Sequence, residues 1–321
     1  MATEYYIGKR ELISFSDVEG TYGTAATRRI LLGRDARIVP KNASNWIEVK
    51  GAGTDSVTID DREVSFKQVG CTLEFVPQDW RFLKFVLTDG GVGCVTDTVS
   101  GSDYVHTFTN SKTIDSFSLE RGIKHTSEVA RLYTGCQVNS FNLSFDASAG
   151  GFVKCSADLM ARDVDNTGSI TSLTRVSTSG FKARQATITI DGGVETKVLS
   201  GNFVINNGLD PGRFANYAND DTLKSESAVT TRRVSGSFTI NLKDETYFDL
   251  WDALVKVPGA CSLKLSKSAN DYVDFSFTDL HIEDAPDETN LEGINSVTLN
   301  WVAKDVSAVA KDALSNYYTF S

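Results

Sequence analysis

Two stretches of this chain carry one pattern: TLEFVPQDWRFLKFVL, from Thr72 to Leu87, and TINLKDETYFDLWDAL, from Thr239 to Leu254. A shift of 167 positions (239 minus 72) lays Thr72 on Thr239, Leu73 on Ile240, Phe75 on Leu242, Trp80 on Tyr247, Leu83 on Leu250, Leu87 on Leu254 and Cys94 on Cys261. At a shift of 168, Asp103-Tyr104-Val105 falls on Asp271-Tyr272-Val273. In each copy alternating apolar residues give way to apolar residues at i, i+3, i+4 and i+7, as in Tyr247, Leu250, Trp251 and Leu254. That change of period predicts a strand followed by a short amphipathic helix. Pro77 and Asp79 stand where the first helix should start, and Asp244-Glu245 where the second should, as the helix dipole favours. The same element types in the same order predict an internal duplication. The helices, over 79–88 and 244–255, should each lay a stripe on their own sheet: Trp80, Leu83 and Leu87, or Tyr247, Leu250 and Leu254.

The rest of the chain falls around these copies. Its 321 residues suffice for two domains of roughly 100 to 200 residues each. Residues 1–45 carry few sustained periodic runs and read as an N-terminal arm. Residues 46–165 form the first β-domain, and the Ser/Thr/Gly-rich stretch 166–180 reads as a linker. Residues 181–306 form the second domain, with a long polar loop over 207–231, and 307–321 read as a C-terminal arm. Ala161-Arg162-Asp163-Val164 matches Ala303-Lys304-Asp305-Val306 at an offset of 142, so the first half carries about 26 extra residues (168 minus 142). The clearest strand is VNSFNLSF, 138–145. There Phe141, Leu143 and Phe145 alternate with Ser140, Asn142 and Ser144, and only Val138 falls out of phase. One face of it is apolar and the other carries hydroxyl and amide groups.

Several function classes drop out. With 42 acidic and 32 basic residues the net charge is -10, which argues against a general affinity for nucleic acid or anionic lipid. The start, MATEYYIGKRELISF, lacks a signal-peptide core, and no long apolar run marks a membrane span. Five cysteines (Cys71, Cys94, Cys136, Cys155, Cys261) without a CxxC spacing argue for free, mostly buried thiols rather than a disulfide framework or zinc site. Asp163 to Ile170 matches the opening of a calcium loop, but the twelfth position is Thr174, where a bidentate glutamate is needed. His106, His125 and His281 lie far apart, and Asp60-Asp61, Asp220-Asp221 and Asp287-Glu288 fall in turn-like polar stretches. No hydrolase elbow, phosphate loop or dinucleotide fingerprint occurs. The expectation is a protein with no catalytic residues, no metal and no cofactor.

Strands with a polar second face, one short helix per repeat and extended arms point to a structural β-protein. YTGCQVNSFNLSFDASAGGFVKCSADLMARD, 133–163, resembles the signature stretch of tail tube proteins (major tail proteins) of bacteriophages with long, non-contractile tails. INNGLDPGRF and TRRVSGSFTINLKDETYFDLW resemble a later part of that family. The resemblance implies tandem β-sandwich or split-barrel domains, each with one flanking helix and each contributing to a barrel closed between subunits. Closing a sheet in that way removes the exposed edge strands. It implies a virion protein, assembled in the host cytoplasm, whose stacked rings conduct DNA into the host. Its partners would be copies of itself, genomic DNA and a tape measure protein passing through the lumen, and terminator and tail-tip proteins at the ends. A negatively charged lumen would let DNA pass without adhering. Two similar units per chain predict a ring of three chains with pseudo-sixfold symmetry; the alternative is a ring of six whole chains. The competing function is a carbohydrate- or receptor-binding β-sandwich of a virion, which expects clustered exposed aromatics. A glycosidase would need two carboxylates facing across a cleft.

Overall fold

The computed structural model describes residues 11–27, 29–49, 61–88, 94–100, 103–123, 128–166, 170–171, 173, 178–212, 225–241, 246–284, 296–315 and 317. The first half holds β1 (Glu11–Val18), β2 (Arg29–Leu31), β3 (Arg34–Pro40), β4 (Ala43–Val49) and the long β5 (Asp61–Val76). A turn of 3-10 helix, Arg81–Leu83, runs into the one-turn α1 (Lys84–Leu87). Then come β6 (Cys94–Ser100), β7 (Asp103–Phe108), β8 (Phe117–Ile123), β9 (Val129–Asp146), β10 (Lys154–Ala161) and β11 (Asp163–Asn166). The second half holds β12 (Ala186–Ile190), β13 (Gly193–Glu195), β14 (Val198–Asn206), β15 (Leu209–Gly212), β16 (Ser225–Val229) and β17 (Arg233–Asn241). It ends with α2 (Thr246–Asp252), β18 (Cys261–Ser268), β19 (Asp271–Asp284) and β20 (Ser296–Asp312).

The fold is mainly β, as expected, and consistent with a β-sandwich; its large sheet does not close into a barrel. Strands β3, β5, β10, β9, β14, β17, β20 and β19 lie side by side in that order, each neighbouring pair antiparallel. Strands β2, β1, β8, β9 and β11 make a second run. β9 serves both: residues 129–136 pair with β8 and 140–146 with β14. β20 is shared in a similar way, by β17 over 296–303 and by β7 over 308–312.

A connected apolar core runs through both halves. Trp80 of the first half packs on Phe181 (ring centroids 5.1 Å apart) and Phe275 (5.8 Å), and Phe203 on Phe275 (4.9 Å). Within the stretch read as an N-terminal arm, residues 11–40 carry three strands, and Ile13 and Phe15 of β1 are core residues. Four successive residues of β1 are buried because both of its faces are covered, which hides the alternation that marks a half-buried strand. In the stretch read as a C-terminal arm, β20 runs on to Asp312 and Tyr317 is fully buried.

The two helices differ more than the repeat suggests. Asp79 Oδ1 accepts from the Arg81 amide (3.1 Å), as an acid at a helix start should. Trp80, Leu83 and Leu87 are buried, because Phe15 of β1 and Phe117 of β8 cover Phe82 and Phe85 from the other side. In α2 no residue is buried. Tyr247, Leu250 and Trp251 only flank the core, and Leu254 is 82% exposed, so the expected burial of Leu254 does not hold in the single chain.

Candidate functional site: a polar sheet face

Alternation builds one extended surface. Phe141, Leu143 and Phe145 of β9 enter the core, so Ser140, Asn142, Ser144 and Asp146 stand on the opposite face. On β10 the inward set is Cys155, Ala157 and Leu159, which leaves Lys154, Ser156 and Asp158 outward. On β20, Val297, Leu299 and Trp301 point in, and Ser296, Thr298 and Asn300 point out. Antiparallel register then lines the outward residues into rows across six strands. Glu74, Ser156, Asn142, Val204, Ser235 and Val302 are successive partners on β5, β10, β9, β14, β17 and β20. In the next row stand Lys154, Ser144, Asn202, Ser237 and Asn300, and after it Asp146, Ser200, Thr239 and Thr298. The Thr239 and Thr298 hydroxyls share a hydrogen bond of 3.0 Å.

The face is close to neutral rather than acidic. Its charges pair across strands: Arg37 with Glu74 (3.4 Å), Lys41 with Asp158 (2.5 Å) and Arg233 with Glu283 (3.3 Å). Such exposed pairs add little stability, roughly 0 to 1 kcal/mol each. Their effect is to leave few uncompensated cations to hold a phosphate backbone.

Buried polar groups fix the loops beside this face, and sequence reasoning missed them. Asn207 is fully buried; its Nδ2 donates to the carbonyls of Val86 (3.1 Å) and Val138 (3.0 Å), while Arg232 Nε donates to its Oδ1 (2.6 Å). The Ser227 amide donates to Gln137 Oε1 (2.7 Å) and the Leu209 amide to Asn139 Oδ1 (3.0 Å). The base of the polar loop over 207–231 is thus a short ladder, β15 on β16, seated on β9; residues 213–224 lie outside the described set. Buried Glu19 accepts from the Gly135 amide (3.0 Å), Ser118 Oγ (2.7 Å) and the Gly23 amide (2.9 Å). Asn-Asn and Glu-Gly dipeptides carry no periodic signal, so only the folded neighbourhood reveals these roles.

The sequence candidates for chemistry do not converge. Asp163–Asn166 is strand β11, and Asp163 Oδ1 accepts from the Val164 amide (2.8 Å); Thr174 lies outside the described residues. Among the described residues no group of three or more His, Cys, Asp or Glu could hold a metal ion. His106 is buried, stacks on Tyr317 at 3.6 Å and lies 3.4 Å from Asp312; His281 is exposed on β19; His125 lies outside the described residues. So do Asp60, Asp220, Asp221, Asp287 and Glu288. Four thiols (Cys71, Cys136, Cys155, Cys261) are free and buried. Burial, helped by Asp158, pushes Cys71 up to about 12, and burial holds Cys136 and Cys155 well above the ordinary thiol range, so none is a ready nucleophile.

A cavity of about 490 Å³ joins the halves, lined by Asp79, Asp103, Asp271 and Asp312 among Ile30, Leu31 and Leu314. Three of these carboxylates have fixed partners. Arg81 meets Asp79 at 2.7 Å, Lys267 meets Asp271 at 3.2 Å, and the Tyr317 hydroxyl donates to Asp312. Burial raises the Asp271 carboxyl above its usual range against the opposing pull of Lys267. Burial, then Asp312, pushes the Tyr317 phenol well up. The cluster ties the C-terminal segment to the loop before α1.

A family model described as phage tail tube protein matches residues 14–303. No curated protein matches the chain.

Proposed function

We propose, from the premise that this chain belongs to the phage tail tube protein family, that copies of it close into rings which stack into a conduit for DNA. The coarse identity follows from the family itself: a structural protein of the virion tail that assembles with copies of itself and with other tail components. In the finer reading, three chains make each ring. Each chain contributes two units, over 46–165 and 181–306, joined by 166–180. Tape measure protein and genomic DNA would pass through the lumen of a long, non-contractile tail, terminator and tip proteins would cap its ends, and assembly would take place in the host cytoplasm. No catalytic step is part of this function.

The observation that carries the reading is the strand order. The run β3, β5, β10, β9 is followed by β14, β17, β20, β19, and in each run the short helix follows the second strand. The hairpin β6–β7, from Cys94 to Phe108, has its counterpart in β18–β19, from Cys261 to Phe277. A neutral carpet of Ser, Thr and Asn suits a channel wall that DNA must slide past. The competing receptor-binding function lacks support: Phe152 and Phe248, the exposed large aromatics among the described residues, sit on separate elements. Negative-stain microscopy with native mass determination tests the ring. The expected result is a ring of three chains with a six-lobed outline. A ring of six whole chains, or monomers at high concentration, would overturn it.

A further inference from the structure

The chain beyond β20, over 313–317, forms a strap across the joint between the halves; residue 316 lies outside the described set. Ala313 and Ser315 are exposed, Leu314 is half-buried and Tyr317 is fully buried. The strap is thus held mainly by one side chain. The Tyr317 hydroxyl donates to Asp312 and accepts from the Trp80 amide (3.3 Å), and its ring lies on His106 of β7, with centroids 3.6 Å apart and planes 9° from parallel. Asp312 in turn accepts from the Leu314 amide (2.8 Å), which folds the chain back at the end of β20. Three elements distant in sequence, the loop before α1, β7 and β20, therefore meet at a single ring. Trp80 is also the residue through which the first half packs on Phe181 and Phe275 of the second, so the strap is anchored on the joint itself.

The seated position is weakly held. The cavity of about 490 Å³ has Leu314 in its wall, so part of the strap spans a void where packed side chains would otherwise supply dispersion contacts. Asp79, Asp271 and Asp312 gather around that void. After burial, Asp312 and Asp79 are the next causes that push the Tyr317 phenol up. Asp271, raised by burial and drawn down by Lys267, is raised further by the same two carboxylates. Like charges brought together oppose closure, and the Arg81 and Lys267 pairs offset part of that repulsion. The strand before the strap is held differently. Ala308 and Ala310 of β20 have no exposed surface, and residues 308–311 ladder with both β7 and β19. Few buried contacts and an exposed backbone mark a segment that opens while the rest of the chain stays folded.

We propose that the strap is a latch with two positions: seated, Tyr317 pins Trp80 and walls off the cavity; released, it admits water to the cavity and frees the joint while the strands stay folded. Every contact of the latch lies within one chain, so it does not depend on the ring reading. Released, the halves remain joined through the β9–β14 ladder, but their contact at Trp80 is free to shift.

Amide hydrogen exchange in dilute, unassembled protein, resolved to single residues and corrected for intrinsic rates, tests the latch. The Trp80 and Leu314 amides should exchange together, at least about a hundredfold faster than the amides of 308–311 in β20, because local opening is easier than global unfolding. Tyr317→Phe keeps the ring and removes both hydroxyl bonds; protection of Trp80 and Leu314 should fall about tenfold, and that of β20 by no more than the same factor. Tyr317→Ala should release the latch outright, bringing Trp80 and Leu314 to within about tenfold of free-amide exchange while β20 keeps at least about a hundredfold protection. If Trp80 and Leu314 exchange as slowly as β20 in the unsubstituted protein, the strap opens only with the whole chain and the proposal is overturned. Unchanged protection of Trp80 in Tyr317→Phe overturns it too. So does a Tyr317→Ala chain that fails to fold, since a released latch must leave the strands intact.

Discussion

Leu87 and Leu254 occupy equivalent places in the repeat, yet the first has no exposed surface and the second is 82% exposed. Truncating Leu87 to Ala removes packed atoms from a core that cannot fully collapse around the gap, a loss of about 2 to 5 kcal/mol. For a chain of 321 residues about 3 kcal/mol lowers the melting temperature by roughly 4 to 5 °C. Leu254→Gly acts in the opposite direction. Almost no apolar burial is lost, and glycine adopts the φ of 54° without steric cost, so the isolated chain should gain about 0.5 to 1 kcal/mol. Urea unfolding followed by tryptophan fluorescence reads both changes. The protein must be dilute enough to stay unassembled, since association would stabilise the folded state by mass action. If Leu254→Gly cost 2 kcal/mol or more in the dilute chain, Leu254 would be buried in solution and the contrast between the two helices would be refuted.

Asp17→Ala should destabilise strongly, by roughly 3 to 5 kcal/mol, because Lys84 is 2% exposed and Asp17 lies 3.2 Å from its Nζ; Lys84→Met, which removes the buried charge, should cost much less, and equal costs in thermal melts would contradict this. Cys71, Cys136, Cys155 and Cys261 should resist a thiol reagent at pH 8 and react on denaturation; rapid labelling of any of them in the folded protein, located by mass spectrometry, would refute their burial. Asp271 takes up its proton more readily folded than unfolded, so its contribution to stability is full below about pH 3.8 and fades as pH rises through its raised folded value. Asp271→Asn should remove that part of the pH slope of the melting temperature, and an unchanged slope would count against the assignment. A chelator should leave melting and assembly unchanged, because Thr174 stands where a calcium loop needs a glutamate; a drop in either would revive the metal site.

How much of this was legible depended on how each segment is covered. The alternation of Phe141, Leu143 and Phe145 gave β9 and its polar face directly, since one side of that strand is buried and the other is not. Even the misfit at Val138 had a cause, for the ladder with β10 shifts register between Asp158 and Leu159, where Ser140 and Val138 are the successive partners. Strand β1 escaped because both its faces are covered and Ser14 and Ser16 are buried with Ile13 and Phe15. Helical periodicity identified the apolar stripe of α2 but could not say what lies over it, since a stripe records which residues share a side and not the identity of their neighbours. The joints built on Asn207, Gln137 and Glu19 were invisible for a further reason. A buried amide or carboxylate is recognised by its partners, and those lie up to 121 residues away along the chain.

The long strands have a mechanical consequence. β9 is one backbone of 18 residues, on the order of 60 Å of extended chain, stitched at one end into β8 and β11 and at the other into β10 and β14. β20 is stitched in the same manner to β17 and to β7. Two plies held only by side-chain packing could slide over one another under load. Here covalent threads pass from ply to ply, so a pull on the polar wall is carried along peptide bonds into the opposite layer, and the subunit resists shear as a sewn laminate does.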